Sequence, residues 1–557
     1  MPEERDRVTS SGQTLVCETL VCQTEGVLKL LRKRNLAQAA SPLPTRSEHG
    51  MLTASVAHAR RQLISGSDAL GGDLGAALSV SATMGRCQHG SLCDVTQFGA
   101  VGDGTTYDTD AVRAAAAAVN HNGGGTLLFP GGKSSRTYLT GPFNLSSNLI
   151  MIVEAGATVL GSLYSNNWPL IEPLPWYGGG SDQQQQGTRE YQALVYADGV
   201  SNLTITGGGV IDGNGHTWWG CLRKDDWANA SPPCGDDHGV YHSRPHLVMV
   251  VRSSDVKMTD LTARDSPNWT LHFAGVNGLL VANNSVHSPS DAPNTDGINL
   301  DCTQDAVVED NYVAVGDDAL CVKSGINHLG RTFGQPSRNI VFRRNTIGTG
   351  HGITIGSEMS AGVSNVTFED IIMDQTNVGI RLKSQRGRGG VVHDVTYRNV
   401  HMQSINEECV QVTLNYDANG PPSTDTQTNA TATPAFQNIA FENVLCEHGG
   451  KSYFLDGLPE QAIRHLSLIN VTMGGDVGTE KGCRHTACTC DALTAPCPSC
   501  CTKDNELLAT RKWSPSAGRR GPSAQYVEAQ ASVGISGSAR NGRSQPPEDD
   551  MTKHAPT

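Results

Sequence analysis

Three carboxylates, an imidazole, a guanidinium and an ammonium lie in four short strings in the middle of the 557-residue chain. The strings are Asn294-Thr295-Asp296, Gly316-Asp317-Asp318, Gly350-His351-Gly352 and Arg381-Leu382-Lys383. Cleaving a glycosidic bond needs one carboxyl that holds a proton for the leaving oxygen and another that is ionised to activate water. Crowding carboxylates raises the pKa of at least one of them, because like charges resist ionising together. His351 can tune the acid or hold the network. Arg381 and Lys383 bring positive charge, and the guanidinium fork matches a substrate carboxylate. The set is equipment for acid/base cleavage within an acidic sugar polymer, with no metal required. Calcium could also use three Asp residues, but the nearby His and cations add no hard oxygen ligands. A lone Asp-Asp or Arg-x-Lys is ordinarily a solvated surface feature. The reading therefore depends on whether the strings converge.

The elements that would bring them together are repeats. Alternating apolar residues with a central Asn or Asp recur as DVKMTDLTA from Asp255, GLLVANNSV from Gly278, DAVVEDNYV from Asp305 and NIVFRRNTI from Asn339. They continue as NVTFEDIIM from Asn365, DVTYRNVHM from Asp394, NIAFENVLC from Asn438 and HLSLINVTM from His465. Successive starts are 23, 27, 34, 26, 29, 44 and 27 residues apart. Such a period, built from short period-two segments rich in Val, Ile and Thr, predicts a solenoid of strands rather than helices. No single repeat can bury its apolar face, so neighbours must stack. The fold class is all-β, a single-stranded right-handed parallel β-helix. An Asn at a fixed spot in most coils can form an internal side-chain ladder. The polar strings fall at similar offsets within their repeats, which places them on one side of the solenoid. With stacked strands about 4.8 Å apart, Asp296 and the Asp317/Asp318 pair should lie within a few to about 10 Å. One tension remains: neighbours in a regular strand face opposite ways. Asp317 and Asp318 share a cleft only if the chain bends at Gly316.

With these residues in hand, the chain resembles the polygalacturonase family, glycoside hydrolase family 28, whose strings are N-T-D, G/Q-D-D, G-H-G and R-I-K. Leu382 replaces the usual Ile. VTQFGAVGDGTTYDTDAV (Val95 to Val112), GGGVIDGNGHTWW (Gly207 to Trp219), SPNWTLHF (Ser266 to Phe273) and APNTDGINLD (Ala292 to Asp301) are also similar. So are GRTFGQPSRNI (Gly330 to Ile340), IGSEMSAGVSNVTFED (Ile355 to Asp370) and the plant-type insertion WPLIEPLPWYG (Trp168 to Gly178). The likeness covers about residues 93 to 475. It implies hydrolysis of α-1,4-linked galacturonan with inversion, with Asp317 as general acid and Asp296 and Asp318 activating water. Asn294 and His351 would support them, while Arg381 and Lys383 would grip the galacturonate carboxylate. Tyr416, in TLNYD, matches a substrate-contacting tyrosine. Lys323, in CVKSG, matches a family position and also serves simply to balance the Asp cluster. Two other readings are a lyase of the pectate-lyase type and a non-catalytic carbohydrate-binding β-helix.

The formal charge of −13 excludes nucleic acid as a partner. It also opposes an anionic polymer unless the cleft is locally positive, which Arg381, Lys383 and Lys323 would provide. No apolar run spans a membrane, and a monomer is expected. Residues 1–90 read as a disordered extension, 91–482 as the catalytic β-helix, 483–501 as a Cys-rich cap and 502–557 as a disordered tail. The start MPEERDR is charged and no apolar run of a signal peptide follows. The family's secreted, cell-wall location is nonetheless the expectation, and 16 cysteines favour an oxidising compartment. Cys483, Cys488, Cys490, Cys497, Cys500 and Cys501 would form disulfides capping the solenoid, or a zinc knot. Cys221 and Cys234 could pair, and Cys302 and Cys321 could be either a bridge or buried thiols. Sequons occur at Asn144, Asn202, Asn229, Asn268, Asn283, Asn365, Asn429 and Asn470. Several of them coincide with the repeat pattern itself.

Overall fold

The repeat-start residues explain why the chain coils. Asp255, Gly278, Asp305, Asn339, Asn365, Asp394, Asn438 and His465 all have φ between 52° and 77°. Five residues on, Asp260, Asn283, Asp310, Arg344, Asp370, Asn399, Asn443 and Asn470 again have φ between 53° and 61°. Asn and Asp tolerate this left-handed region better than other L-residues. The repeat is therefore a strand between two fixed corners, and its polar residues are the corners. In the computed structural model, which describes residues 87–88, 91–164, 167–178, 189–220, 244–416 and 432–504, these corners turn the chain into stacked coils.

A typical coil has a four-residue, a six-residue and a three-residue strand, as in Leu271–Ala274, Asn277–Ala282 and Ser285–His287. Each pairs in parallel with its counterpart in the next coil. The fold is a right-handed parallel β-helix, as the periodicity predicts. Asn284, Asn311 and Asn345 form the internal ladder, each amide nitrogen donating to the next Oδ1 at 3.0 Å. Beside it Phe342, Phe368, Tyr397 and Phe441 stack at 4.6, 4.9 and 5.1 Å with nearly parallel rings.

The ends differ from the middle. Helix Thr109–His121 turns Val112, Ala115, Ala116 and Val119 inward, a face at helical spacing, and packs on strands Leu92–Asp94 and Gly125–Phe129. Strand periodicity gave no warning of it. At the other end, strands Gly482–Arg484, Thr486–Cys490 and Thr502–Lys503 continue the parallel pairing. Disulfides Cys483–Cys500, Cys488–Cys501 and Cys490–Cys497 bind this last turn. Cys87–Cys93 and Cys409–Cys446 are two more, while Cys302 and Cys321 are buried thiols. Among the sequons, Asn268 is fully buried and so closed to glycosylation. Asn202, Asn283, Asn365 and Asn470 sit at the corners. The N-terminal extension before Cys87, the tail beyond Asp504, Cys221, Cys234, Asn229 and Asn429 lie outside the described residues. Among those described, no helix is long and apolar enough to cross a membrane.

Candidate active site

One sheet carries the chemistry. Its strands Ile298–Asp301, Leu320–Lys323, Ile353–Gly356 and Ile380–Lys383 stack in register, followed by Val410–Thr413. Inward positions are Ile, Leu or Val in the main core. Outward positions form two columns. One runs Asn299, Cys321, Thr354, Arg381, Gln411, and the other Asp301, Lys323, Gly356, Lys383, Thr413. The alternation of a strand therefore puts Arg381 and Lys383 on the same outer face.

Asp296 and Asp318 occupy equivalent places just before their strands, and Gly297 N–H donates to Asp318 O at 2.9 Å. Residues Gly316 to Ala319 form a bend rather than a strand, so Asp317 and Asp318 escape strand alternation. Gly316 is needed because a Cβ there would lie 2.1 Å from Ala292 O. At Gly350, φ is 120° and a Cβ would meet Asp317 O at 2.6 Å, which accounts for the glycine before His351.

The polar groups then meet. His351 Nδ1 lies 2.9 Å from Asp317 Oδ1 and 3.8 Å from Asp318 Oδ1. Asp318 receives Lys383 Nζ at 2.9 Å, Thr354 Oγ1 at 3.0 Å and Arg381 Nη1 at 3.5 Å. Asp296 receives Lys323 Nζ at 3.2 Å and Asn299 Nδ2 at 3.1 Å. Tyr416, 39% exposed, lies with its ring 5.2 Å from the Arg381 guanidinium and 5.1 Å from Lys383 Nζ. The structure thus gathers Asp296, Asp317, Asp318, His351, Arg381, Lys383 and Tyr416. Asn294 Oδ1 is held by Arg244 Nη2 at 2.8 Å. Sequence reading passed over Thr354, Gln411, Arg244 and Glu358. Gln411, which accepts from Arg381 Nε at 2.8 Å, follows from register once the coils are aligned. Arg244 and Glu358 carry no comparable signal.

Charge is distributed unevenly across the cluster. Burial pushes Asp296 up, and the Asp317 and Asp318 charges add to that against Lys323, so it reaches about 7. Burial also pushes Asp318 up, but Lys383, Arg381 and Lys323 outweigh it and hold this carboxylate well below its ordinary range. Asp317 is half-buried and desolvation pushes it up, yet the hydrogen bond with His351 brings it below its usual value. Burial lowers the His351 imidazole, and the same bond to Asp317 more than restores it, leaving a net rise. One carboxyl is therefore raised, Asp296, chiefly by burial, with the charges of Asp317 and Asp318 adding to it. Two subsets of these atoms (Asp296, Asp318 and Cys321; Asp317, Asp318 and His351) lie close enough to ligate a cation. The contacts of Asp318 and Asp296 with Lys383, Arg381 and Lys323, however, already neutralise those oxygens.

A stacked β-helix with clustered carboxylates and cations on one face defines a glycosidase of the parallel β-helix class. The model of glycosyl hydrolases family 28 matches residues 178–495, and the chain belongs to that family. A probable polygalacturonase of Vitis vinifera is 33% identical over 405 residues, spanning 71% of this chain and 76% of the relative. An endo-polygalacturonase of Pectobacterium carotovorum subsp. carotovorum is 28% identical, over 64% of this chain and 83% of its own. Among solved structures, a hyperthermoactive exopolygalacturonase from Thermotoga maritima superposes with TM-score 0.58 at 25% identity, covering 69% of this chain and 91% of the other. The protein is an enzyme, a glycoside hydrolase.

Proposed function

We propose that this enzyme hydrolyses α-1,4-linked galacturonan with inversion at the anomeric carbon. The observation that carries this reading is the meeting of Asp296, Asp317 and Asp318 with Arg381 and Lys383 on one outer face. Asp317 delivers the proton to the leaving oxygen. His351, 2.9 Å from Asp317 and raised by that contact, can feed the proton that Asp317 passes to the substrate. Asp318, kept ionised by its cations, takes the proton of the attacking water, and Asp296 holds that water beside it. Arg381 and Lys383 receive the substrate carboxylate, with Tyr416 against the sugar. The disulfides and the family's cell-wall substrate support secretion.

Proton NMR of the first product from polygalacturonate tests the mechanism. Inversion of an α-linkage gives the β-anomer, and initial release of the α-anomer would make one Asp a nucleophile. The same incubation with a chelator separates hydrolysis from a Ca²⁺-dependent lyase. New reducing ends should persist, and no near-ultraviolet absorbance from a double bond should appear.

Substrate charge supplies a second expectation. Methyl-esterified pectin should be cleaved more slowly than de-esterified polymer. Lys383→Ala should raise KM for polygalacturonate by about 1.5–3 kcal/mol, the range for a charged hydrogen bond. Equal rates on the two polymers would count against the assignment.

The pH profile follows from the shifts above. Asp318 keeps its charge well below pH 3.8, so activity should persist into acid. As pH rises, His351, raised by its hydrogen bond with Asp317, loses the proton that feeds Asp317 above its usual 6.5. With no proton left to deliver, kcat/KM should fall on the alkaline side, and His351→Ala should move that limb. Activity that climbs above pH 8 would contradict it.

A further inference from the structure

The insertion Trp168–Gly178 lies across the same sheet, on the N-terminal side of the carboxylates. Its stem is a short antiparallel pair, Leu170–Ile171 with Glu190–Tyr191. From this stem Leu174, Trp176 and Tyr177 descend onto outward-facing residues of the two strands that precede Ile298–Asp301. They pack with Met249, Val251 and Ala274, and with Trp269, Cys302 and Ile326, in an apolar cluster separate from the main core. Trp176 Nε1 donates to Asp301 Oδ2 at 3.3 Å, and Ile326 N–H donates to Trp176 O at 3.0 Å. Asp301 is the register partner of Lys323, and Lys323 touches Asp296. The insertion therefore ends within one strand of the proposed water-activating carboxylate.

The other side of the carboxylates is built differently. Beyond Arg381 and Lys383 the outward columns run on through Gln411 and Thr413 to Phe454 and Asp456. Tyr416 is exposed there, Phe454 is half-buried, and Lys481 Nζ lies over the Phe454 ring at 5.0 Å with half its side chain in solvent. That floor offers aromatic faces to a sugar chain, next to the Arg381 and Lys383 cations, while Lys481 is paired with Glu408. Among the described residues of the insertion, Pro175 is exposed and the exposed Glu172 pairs with Arg189.

A polymer lying along the solenoid axis crosses one coil about every 4.8 Å, which is close to the length of one sugar ring. The apolar cluster of the insertion sits one strand from Asp296, a span of about one or two rings on that side. Asn299 Oδ1, on the strand between the wall and the carboxylates, is buried and has no hydrogen-bond partner. It is an unused acceptor for a sugar hydroxyl in this confined space. Resting on the galacturonan reading above, we propose that Trp176 and Tyr177 close the cleft as an end wall. The enzyme then cuts galacturonan only at a chain end, releasing one or two sugars per event.

The test follows the full chain on polygalacturonate, with products chromatographed over time and viscosity read in parallel. The expected result is mono- or digalacturonate from the first time point, with viscosity almost unchanged while reducing ends accumulate. A ladder of oligomers with an early collapse of viscosity would overturn the end wall and leave galacturonan hydrolysis standing. Absence of reducing ends altogether would instead overturn the galacturonan reading itself. Trp176→Ala, with far-ultraviolet circular dichroism checking its fold, should lengthen the products to three sugars and more. A folded variant that still releases only the short product would show that Trp176 is not the wall. If the variant does not fold, the unmodified enzyme's product profile decides alone.

Discussion

Asp317→Asn should retain the fold and lose at least about 10²–10⁴-fold in kcat, the range for general acid/base participation. The substitution keeps volume and shape and removes the atom that hands a proton to the leaving oxygen. It also changes what His351 meets at 2.9 Å from a carboxylate to an amide. The imidazole, which that bond raises above its usual value, should then titrate lower, and an imidazole NMR titration would read this separately from turnover. Asp318→Asn and Asp296→Asn should also be severe, because both hold the water. The effects should not add, since the residues act as one unit. A kcat within tenfold of the parent enzyme would show that the acid lies elsewhere.

The periodicity revealed the scaffold because a parallel β-helix writes its geometry into the chain at short range. Each corner needs a left-handed residue, and Asp255, Asn283, Asp305 and their counterparts supply it. The same spacing fixed which coils stack, so Asp296, Asp317, Asp318, His351, Arg381 and Lys383 could be placed on one side before any coordinates. Asp317 and Asp318 needed one further condition, the bend at Gly316, because strand alternation alone would turn them to opposite faces.

Other features were not legible, for physical reasons. Helix Thr109–His121 follows a 3.6-residue period inside a chain read with period two. The distribution of charge depends on which cation reaches which oxygen. Sequence alone puts Lys323, Arg381 and Lys383 near three carboxylates and cannot say that Lys383 takes Asp318 while Lys323 takes Asp296. The partner beneath, Glu358, lies in a loop after Ile353–Gly356 whose path no periodicity specifies. It receives Lys323 Nζ at 3.2 Å and lies 3.8 Å from Arg388.

Lys323→Met should destabilise the enzyme by about 3–5 kcal/mol, the cost of breaking a buried ion pair from one side. The Lys323 ammonium is 4% exposed and lies 3.2 Å from both Asp296 and Glu358. Methionine fills similar volume, so the loss comes from charge: two buried carboxylates no longer share a cation. Burial already pushes Asp296 to about 7, and Lys323 opposes that rise. Without it Asp296 should take its proton at higher pH still. Arg388 continues to serve Glu358, so most of the unbalanced charge falls on Asp296. Urea unfolding should show the stability loss as a lower midpoint with an unchanged slope, larger above pH 7, where Asp296 ionises, than below it. Asp296→Asn in the Lys323→Met background should recover part of it, because the uncompensated charge is removed from the other side. A double-mutant cycle reads that recovery as a coupling energy. Stability unchanged in Lys323→Met, or a cycle with no coupling, would mean that Lys323 does not hold Asp296, and its place beneath the carboxylates would then be packing alone.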